Sequence, residues 1–269
     1  MPFAAVRDIE IYYEIHGSGP LVLSISGSGN DLRSNPLRSE GALEQHFTTL
    51  VYDQRGLGQT SKPDEPYTMA DYADDAAALL DAVGWSSAHV VGLSFGGMVA
   101  QRLAIDHPAR VERLVMGCTS AGGVGGSSFD LRLNDTLEPD ARRRASLELL
   151  DSRCDFTVDP PVIAPGLESL VALFTRLVAA DPDDPARAMG MRRQLDARAD
   201  HDASPDLGRI VSPTLVIGGR FDRQAPLANS EYLAARIRGA RLLVADGGHA
   251  FMLQDPAAWP IIVAFLNAS

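Results

Sequence analysis

The sequence predicts an α/β protein: a mostly parallel central sheet with helices on both faces, interrupted by a helical insertion. Three observations predict it. Short β-type runs alternate with amphipathic helical stretches from about residue 47 to 118. From about Glu138 to Leu207 the pattern is helical, with no convincing strand. The alternation then resumes from Thr214 to the end of the chain.

Each element follows from local chemistry. Ile9 to Ile15 alternates like a half-buried strand and ends in the turn His16-Gly17-Ser18-Gly19-Pro20. Leu21 to Ser26 is a short apolar run, expected to neighbour it through that turn. Phe47 to Tyr52 is a third strand, stopped by Asp53-Gln54-Arg55-Gly56. Thr68 is placed to cap a helix, with Asp71 three residues on and apolar side chains at Tyr72, Ala76, Leu79, Leu80 and Val83. Gly84 suits the left-handed position that ends such a helix. Ala88–Leu93 is a buried strand, Phe95–His107 a helix ended by Pro108, and Val111–Cys118 the next strand. In the insertion, helices are expected at 138–151, 166–180 and 185–199. After it come a strand at Thr214–Gly218, a helix near 227–238, a strand at Arg241–Ala245 and a last helix near 257–267.

Composition excludes several classes of function. The 269 residues carry a net charge of −11 and a pI near 4.9, which speaks against nucleic acid and anionic membrane as partners. Cys118 and Cys154 form no framework or metal motif, so a free-thiol, cytoplasmic protein is expected. No apolar run is long enough to span a membrane, and the N-terminus has no signal-peptide pattern. Lys62 is the sole lysine and precedes Pro63, which rules out a P-loop. The Gly122–Gly126 run has no following lysine either and reads as a flexible lead into the insertion.

The chemistry concentrates at Gly92-Leu93-Ser94-Phe95-Gly96-Gly97, the one G-x-S-x-G in the chain. It sits between a strand and a helix, where a tight turn presents the Ser94 hydroxyl at the carboxyl end of the sheet. The same turn puts the Phe95 amide at a helix N-terminus, which favours an anion. A serine hydroxyl needs a base. Of six histidines, His249 follows a strand end in a loop on the same edge of the sheet. The base needs an orienting acid, and Asp222 emerges after the strand ending at Gly218. Asp246, three residues before His249, is the rival acid. The order serine, acid, histidine suits this topology. Asp53 and Arg55 read as residues that pin the turn after the third strand.

These segments, GLSFGG, YDQRGLGQTSKPD, GGRFD and DGGHAFMLQDP, together resemble the α/β-hydrolase superfamily across nearly the whole core, and most closely its bacterial esterase and 3-oxoadipate enol-lactonase branch. The resemblance implies the α/β-hydrolase fold, with residues 1–120 and 208–269 as core and 121–207 as a helical cap. It implies a Ser-His-Asp hydrolase without metal or organic cofactor. Ser26-Gly27-Ser28 stands where the family usually has His-Gly-x, so the backbone amides of Ser28 and Phe95 are the expected oxyanion donors, with Ser26 in place of the imidazole. Phe129, Phe156, Phe174, Met189 and Met191 are candidate pocket residues, although a residue of each of these types is more often plain helix packing.

The expected function is hydrolysis of a small carboxylic ester through an acyl-enzyme. The alternatives are a lactonase, a cofactor-free perhydrolase, a C–C bond hydrolase and, outside enzymes, a ligand-sensing receptor of the same fold. Ser94 at the elbow disfavours relatives with an aspartate nucleophile. The expected partner is a small ester or lactone, and a homodimer is compatible with the sequence.

Overall fold

The computed structural model describes residues 2–33, 41–168 and 185–268, and its strands follow the apolar runs. They are β1 (Phe3–Val6), β2 (Ile9–His16), β3 (Leu21–Ile25), β4 (Thr48–Tyr52), β5 (Ala88–Leu93), β6 (Val111–Gly117), β7 (Thr214–Gly219) and β8 (Arg241–Ala245). They form one sheet in the order β1-β2-β4-β3-β5-β6-β7-β8. The β1–β2 and β2–β4 pairings are antiparallel, and the rest are parallel. Every residue of β5 is buried, as its continuous apolar run requires of a central strand.

Two features depart from the sequence expectation. β1 extends the sheet by four residues whose short run carries little pattern. β2 and β3 are not neighbours, because β4 lies between them. The turn that joins them is tied to β4: Pro20 accepts from the Thr48 amide at 2.9 Å and Gly19 from the Thr48 hydroxyl at 3.0 Å. Gly17, at φ +76°, lies so close to the Glu44 and Phe47 carbonyls that no side chain fits there. The glycines therefore carry the chain past β4 instead of closing a hairpin.

Helices cover both faces. On one, α2 (Met69–Ala82), α3 (Phe95–Asp106) and α6 (Leu227–Arg236) bury Tyr72, Leu79, Phe95, Leu103 and Leu233. On the other, α1 (Gly41–Glu44), α7 (Phe251–Gln254) and α8 (Ala258–Leu266) bury Leu43, Phe251, Ile262 and Phe265 beside Phe47. Thr68 and Asp71 form the expected reciprocal capping box at the start of α2, and Gly84 follows the helix at φ +78°.

The loop after β4 is pinned by buried charge. Arg55 donates from Nε and Nη2 to Asp75 at 2.8 and 2.9 Å, and from Nη1 and Nη2 to Asp8 at 3.0 and 2.8 Å. Burial opposes the Arg55 charge, but the two carboxylates outweigh it and hold its pKa above the ordinary arginine value. Asp53 accepts from the amides of Leu32 and Gln59 at 2.7 Å each. Breaking a buried pair leaves an uncompensated charge, so Asp75→Asn is expected to cost about 3 kcal/mol and lower Tm by roughly 6–12 °C. A thermal melt checks this; an unchanged Tm would mean that Asp8 alone satisfies Arg55.

Between β6 and β7 lie α4 (Pro139–Leu150) and α5 (Pro185–Ala199). The helix expected at 166–180 falls mostly outside the described residues. Among the described residues this stretch has no strand, only isolated bridges at Gly122–Asp202 and Asp155–Val162. The first bridge, with the Ala203 amide on the Ala121 carbonyl at 2.7 Å, fastens the glycine run to the chain after α5. That run is therefore a clamped turn and not a flexible lead. α5 reaches the core through glycine: Gly190 meets the Gly56 backbone so closely that a Cβ there would strike the Gly56 carbonyl.

Candidate active site

Ser94 joins β5 to α3 at φ 54° and ψ −117°. This is a strained conformation for a side-chain-bearing residue, of order ~1–3 kcal/mol. The surroundings enforce it. The Ser94 amide donates to the Gly117 carbonyl at 2.9 Å, and the Ser94 carbonyl accepts from the Thr119 hydroxyl at 2.8 Å. Gly92 lies against the Gly96 carbonyl and Gly96 against the Ile25 carbonyl, each without room for a Cβ. The motif's glycines are thus steric necessities of the turn.

The structure brings the three expected side chains together. His249 Nε2 is 2.9 Å from Ser94 Oγ, and His249 Nδ1 is 2.8 Å from Asp222 Oδ2. The Asp222 side chain is fully buried, and its other oxygen accepts from the Ala225 amide at 2.8 Å. With His249 Nδ1–H donating to the Asp222 carboxylate, Nε2 presents its lone pair to the serine hydroxyl. Asp246 is elsewhere: its amide donates to Asp255 at 2.9 Å.

The loops that carry Asp222 and His249 are held by the insertion. The last carbonyls of a helix have no partner within it. At the end of α4, Leu149 accepts from the amides of Arg223 and Gln224 at 3.2 and 3.0 Å, and Leu150 accepts from the His249 amide at 2.6 Å. Gln254 adds a brace, accepting from the Gly248 amide at 2.8 Å and donating to Asp151 at 2.7 Å.

The loop after β3 passes beside the serine, since a Cβ on Gly27 would lie 3.3 Å from Ser94 Cβ. Gln54 donates to the Ser26 carbonyl at 2.9 Å and to its hydroxyl at 3.2 Å. A neighbouring amide thus holds the loop where an imidazole was expected. The Gly29 amide is engaged by Gln194 Oε1 of α5 at 2.8 Å, which leaves Ser28 as the loop's candidate donor. The Phe95 amide is the first of α3 and has no intrahelical acceptor. The Phe95 ring points into the core, edge-on to Tyr72 at 4.9 Å.

Three neighbours were not found by sequence reasoning. Gln224 Nε2 lies 2.9 Å from His249 Nε2, so the amide and the Ser94 hydroxyl converge on one lone pair. Its signal was position alone, two residues after the acid. Gln194 and Gln54 carry no local pattern. Cys118, beyond β6, has a thiol that burial and then the Asp222 charge push well above the ordinary range, so it is no rival nucleophile.

The pocket candidates scatter. Phe129 is half-buried, its amide on the Gln224 carbonyl at 2.7 Å. Met191 packs against Gly29. Phe156 joins a satellite cluster with Leu147, Cys154 and Ala250. Met189 is half-buried on α5 next to Gly190, and Phe174 lies outside the described residues. Among the described residues there is no cluster of metal-ligating side chains and no helix long and apolar enough to cross a membrane.

Known proteins share this arrangement of the chain. Residues 15–259 match the model of the Alpha/beta hydrolase family. RutD of Azorhizobium caulinodans, named for carbamate hydrolysis, is 31% identical over 261 residues, covering 95% of this chain and 94% of its own. A poly(3-hydroxyalkanoate) depolymerase of Ectopseudomonas oleovorans is 30% identical over 227 residues, covering 84% of this chain and 77% of its own. The crystal structure of the enol-lactonase from Burkholderia xenovorans LB400 superposes with a TM-score of 0.80 at 27% identity, over 99% of this chain and 100% of that one. With a sheet order, a family match and full-length relatives that agree, this chain belongs to the alpha/beta hydrolase family and is a hydrolase.

Proposed function

We propose that this hydrolase cleaves small carboxylic esters through a Ser94 acyl-enzyme, with lactones as the next class of substrate. The observation that carries the proposal is the unbroken chain Asp222–His249–Ser94, at 2.8 and 2.9 Å. Ser94 Oγ attacks the carbonyl carbon while His249 Nε2 takes the hydroxyl proton. The tetrahedral oxyanion points at the amides of Ser28 and Phe95. One such donor is commonly worth ~10²–10³ in rate. The intermediate collapses, and His249 returns the proton to the departing alkoxide. Water, deprotonated by the same nitrogen, then attacks the acyl carbonyl; the bond from Ser94 Oγ to the acyl carbon breaks, His249 returns the proton to Ser94 Oγ, and the acid leaves. Asp222 holds the tautomer and stabilises the imidazolium.

A carbamate presents a comparable carbonyl to the same groups and forms the second reading. The likeness to RutD favours it, at 31% identity over 95% of the chain. The likeness to the enol-lactonase supports the lactone class.

Residues 121–207 act in this reading as a cap. The support is the attachment of α5 to the Gly29 amide and to Gly56, and of α4 to the Asp222 and His249 loops. A roofed site admits compact acyl groups. Activity is therefore expected to fall steeply beyond about eight acyl carbons, given pocket volumes of a few hundred Å³. The test is kcat/KM across C2 to C16 p-nitrophenyl esters, beside butyrolactone-type rings and a small aryl carbamate. A maximum at C12 or longer rejects the capped small-ester reading. A lactone or carbamate preference above a hundredfold transfers the assignment to that class.

A further inference from the structure

The loop after β3 carries the Ser28 amide, and its orientation is set from two sides. Three successive peptide planes make up the loop: Ser26–Gly27, Gly27–Ser28 and Ser28–Gly29. Each plane is rigid in itself, and the Ser28 N–H lies in the middle one. Within the loop that plane has one long bond, from the Asn30 amide to the Gly27 carbonyl at 3.4 Å. The Ser26 hydroxyl adds a second bond of 3.4 Å, to the Asn30 carbonyl. Both are long for hydrogen bonds of their kind.

Short bonds hold the two flanking planes instead. The Ser26 carbonyl accepts from Gln54 Nε2 at 2.9 Å, and the Gly29 amide donates to Gln194 Oε1 at 2.8 Å. Gly29 sits at φ +72°, a conformation that glycine enters and leaves without a steric barrier from a side chain. The plane between Ser28 and Gly29 is therefore fixed by its partner and not by its own backbone. Of the two partners, Gln54 belongs to the sheet side and Gln194 to α5.

Packing does not explain Gln194. The residue is fully buried, yet among the described residues its Nε2 has no hydrogen-bond partner. That is a cost which methionine would not carry. What glutamine supplies is Oε1. Met191, three residues earlier on the same face of α5, also lies on Gly29, with Sδ and Cε each 3.1 Å from where a Cβ would stand. Meanwhile α5 has anchors that do not involve this loop. Gly190 packs on the Gly56 backbone, Arg193 pairs with Asp64 at 3.1 Å, and Arg132 reaches Asp196 at 2.9 Å. The helix stays seated without the Gln194 bond, so that bond serves the loop.

We propose that Gln194 is a positioning residue for the oxyanion hole, which the insertion thereby completes. The Ser28 amide reaches its working direction while Gln194 Oε1 holds the next peptide plane. The inference rests on the acyl-enzyme reading, with Ser28 as an oxyanion donor. It adds that a substrate which lifts α5 loses rate more than binding.

The test compares Gln194→Met, which removes the acceptor, with Gln194→Glu, which keeps Oε1 and gives up only the unpartnered NH₂. Turnover of p-nitrophenyl butyrate is expressed per Ser94 site titrated with an organophosphonate, so a misfolded fraction does not count. Butylboronic acid reports the oxyanion geometry: Ser94 Oγ bonds to boron, His249 takes the hydroxyl proton, and boron becomes a tetrahedral anion. In Gln194→Met, kcat should fall at least tenfold with KM within threefold, as for an interaction made only in the transition state. The boronate Ki should rise by the factor that kcat/KM loses. Gln194→Glu should recover most of both. Where Gln194→Met fails to fold, Gln194→Asn, one carbon too short to reach Gly29, should show the same losses. The inference is overturned if kcat per titrated site stays within threefold of the parent, if the boronate Ki does not move with it, or if Gln194→Glu is as impaired as Gln194→Met. A parent labelled at Ser94 beside an unaffected Gln194→Met overturns this inference alone. A parent that is not labelled there overturns the acyl-enzyme reading, and this inference with it.

Discussion

Ser94→Ala is expected to fold like the parent and to lose at least ~10³-fold in kcat, a loss of about 4 kcal/mol in transition-state stabilisation. The hydroxyl's hydrogen bond is to His249, at 2.9 Å. The strained backbone is fixed by bonds of the Ser94 amide and carbonyl, not of its side chain. Removing Oγ therefore takes away the proposed nucleophile and little else, and the melting temperature should move by only a few degrees. An organophosphonate should label Ser94 in the parent, with the adduct located by peptide mass. A variant that keeps most of its turnover would reject the acyl-enzyme route and require another nucleophile.

Asp222→Asn is expected to lower kcat by ~10⁴. The buried carboxylate uses one oxygen for the Ala225 amide and the other for His249 Nδ1. An asparagine that keeps its oxygen on Ala225 turns its NH₂ towards His249. Nδ1 must then accept, which moves the imidazole proton to Nε2, where it faces Ser94 and cannot take the hydroxyl proton. The fold should persist because the replacement is isosteric. Asp246→Asn is the control: its backbone, not its carboxylate, makes the bond to Asp255, so its effect should be small. A crippled Asp246 variant beside a mild Asp222 variant would reverse the assignment of the acid.

What the sequence reveals here depends on the range of the interactions. Ser94 is legible because a strained strand-to-helix turn demands glycine at Gly92 and Gly96, and that demand is written within five residues. Asp222 and His249 are legible because each follows a strand, and parallel strands deliver their ends to one edge. The capping box of α2 spans only Thr68 to Asp71. Strand neighbours are a different matter. Nothing between residues 9 and 26 tells that β4 will lie between β2 and β3, since that pairing is decided by residues 48 to 52 and by carbonyls near Gly17. The glutamines are harder still. Gln54, Gln194 and Gln224 each complete a bond to a loop folded against them from afar, and a lone glutamine carries no periodicity. The substitution of Ser26 for histidine was visible, but its compensation by Gln54 required the tertiary contact.

The carbonyls of Leu149 and Leu150 have a consequence for redesign. A common engineering plan treats the segment over such a sheet as an interchangeable module, to be exchanged for new selectivity while the chemistry beneath stays put. In this protein the backbone of the proposed cap terminates on the amides of Arg223, Gln224 and His249, and its Gln194 occupies the Gly29 amide. A transplant that shifted the end of α4 by one residue would re-register the loops that aim the imidazole. A graft should therefore be cut inside the two anchors, keeping residues 147–153 and 190–198 native and varying only what lies between them.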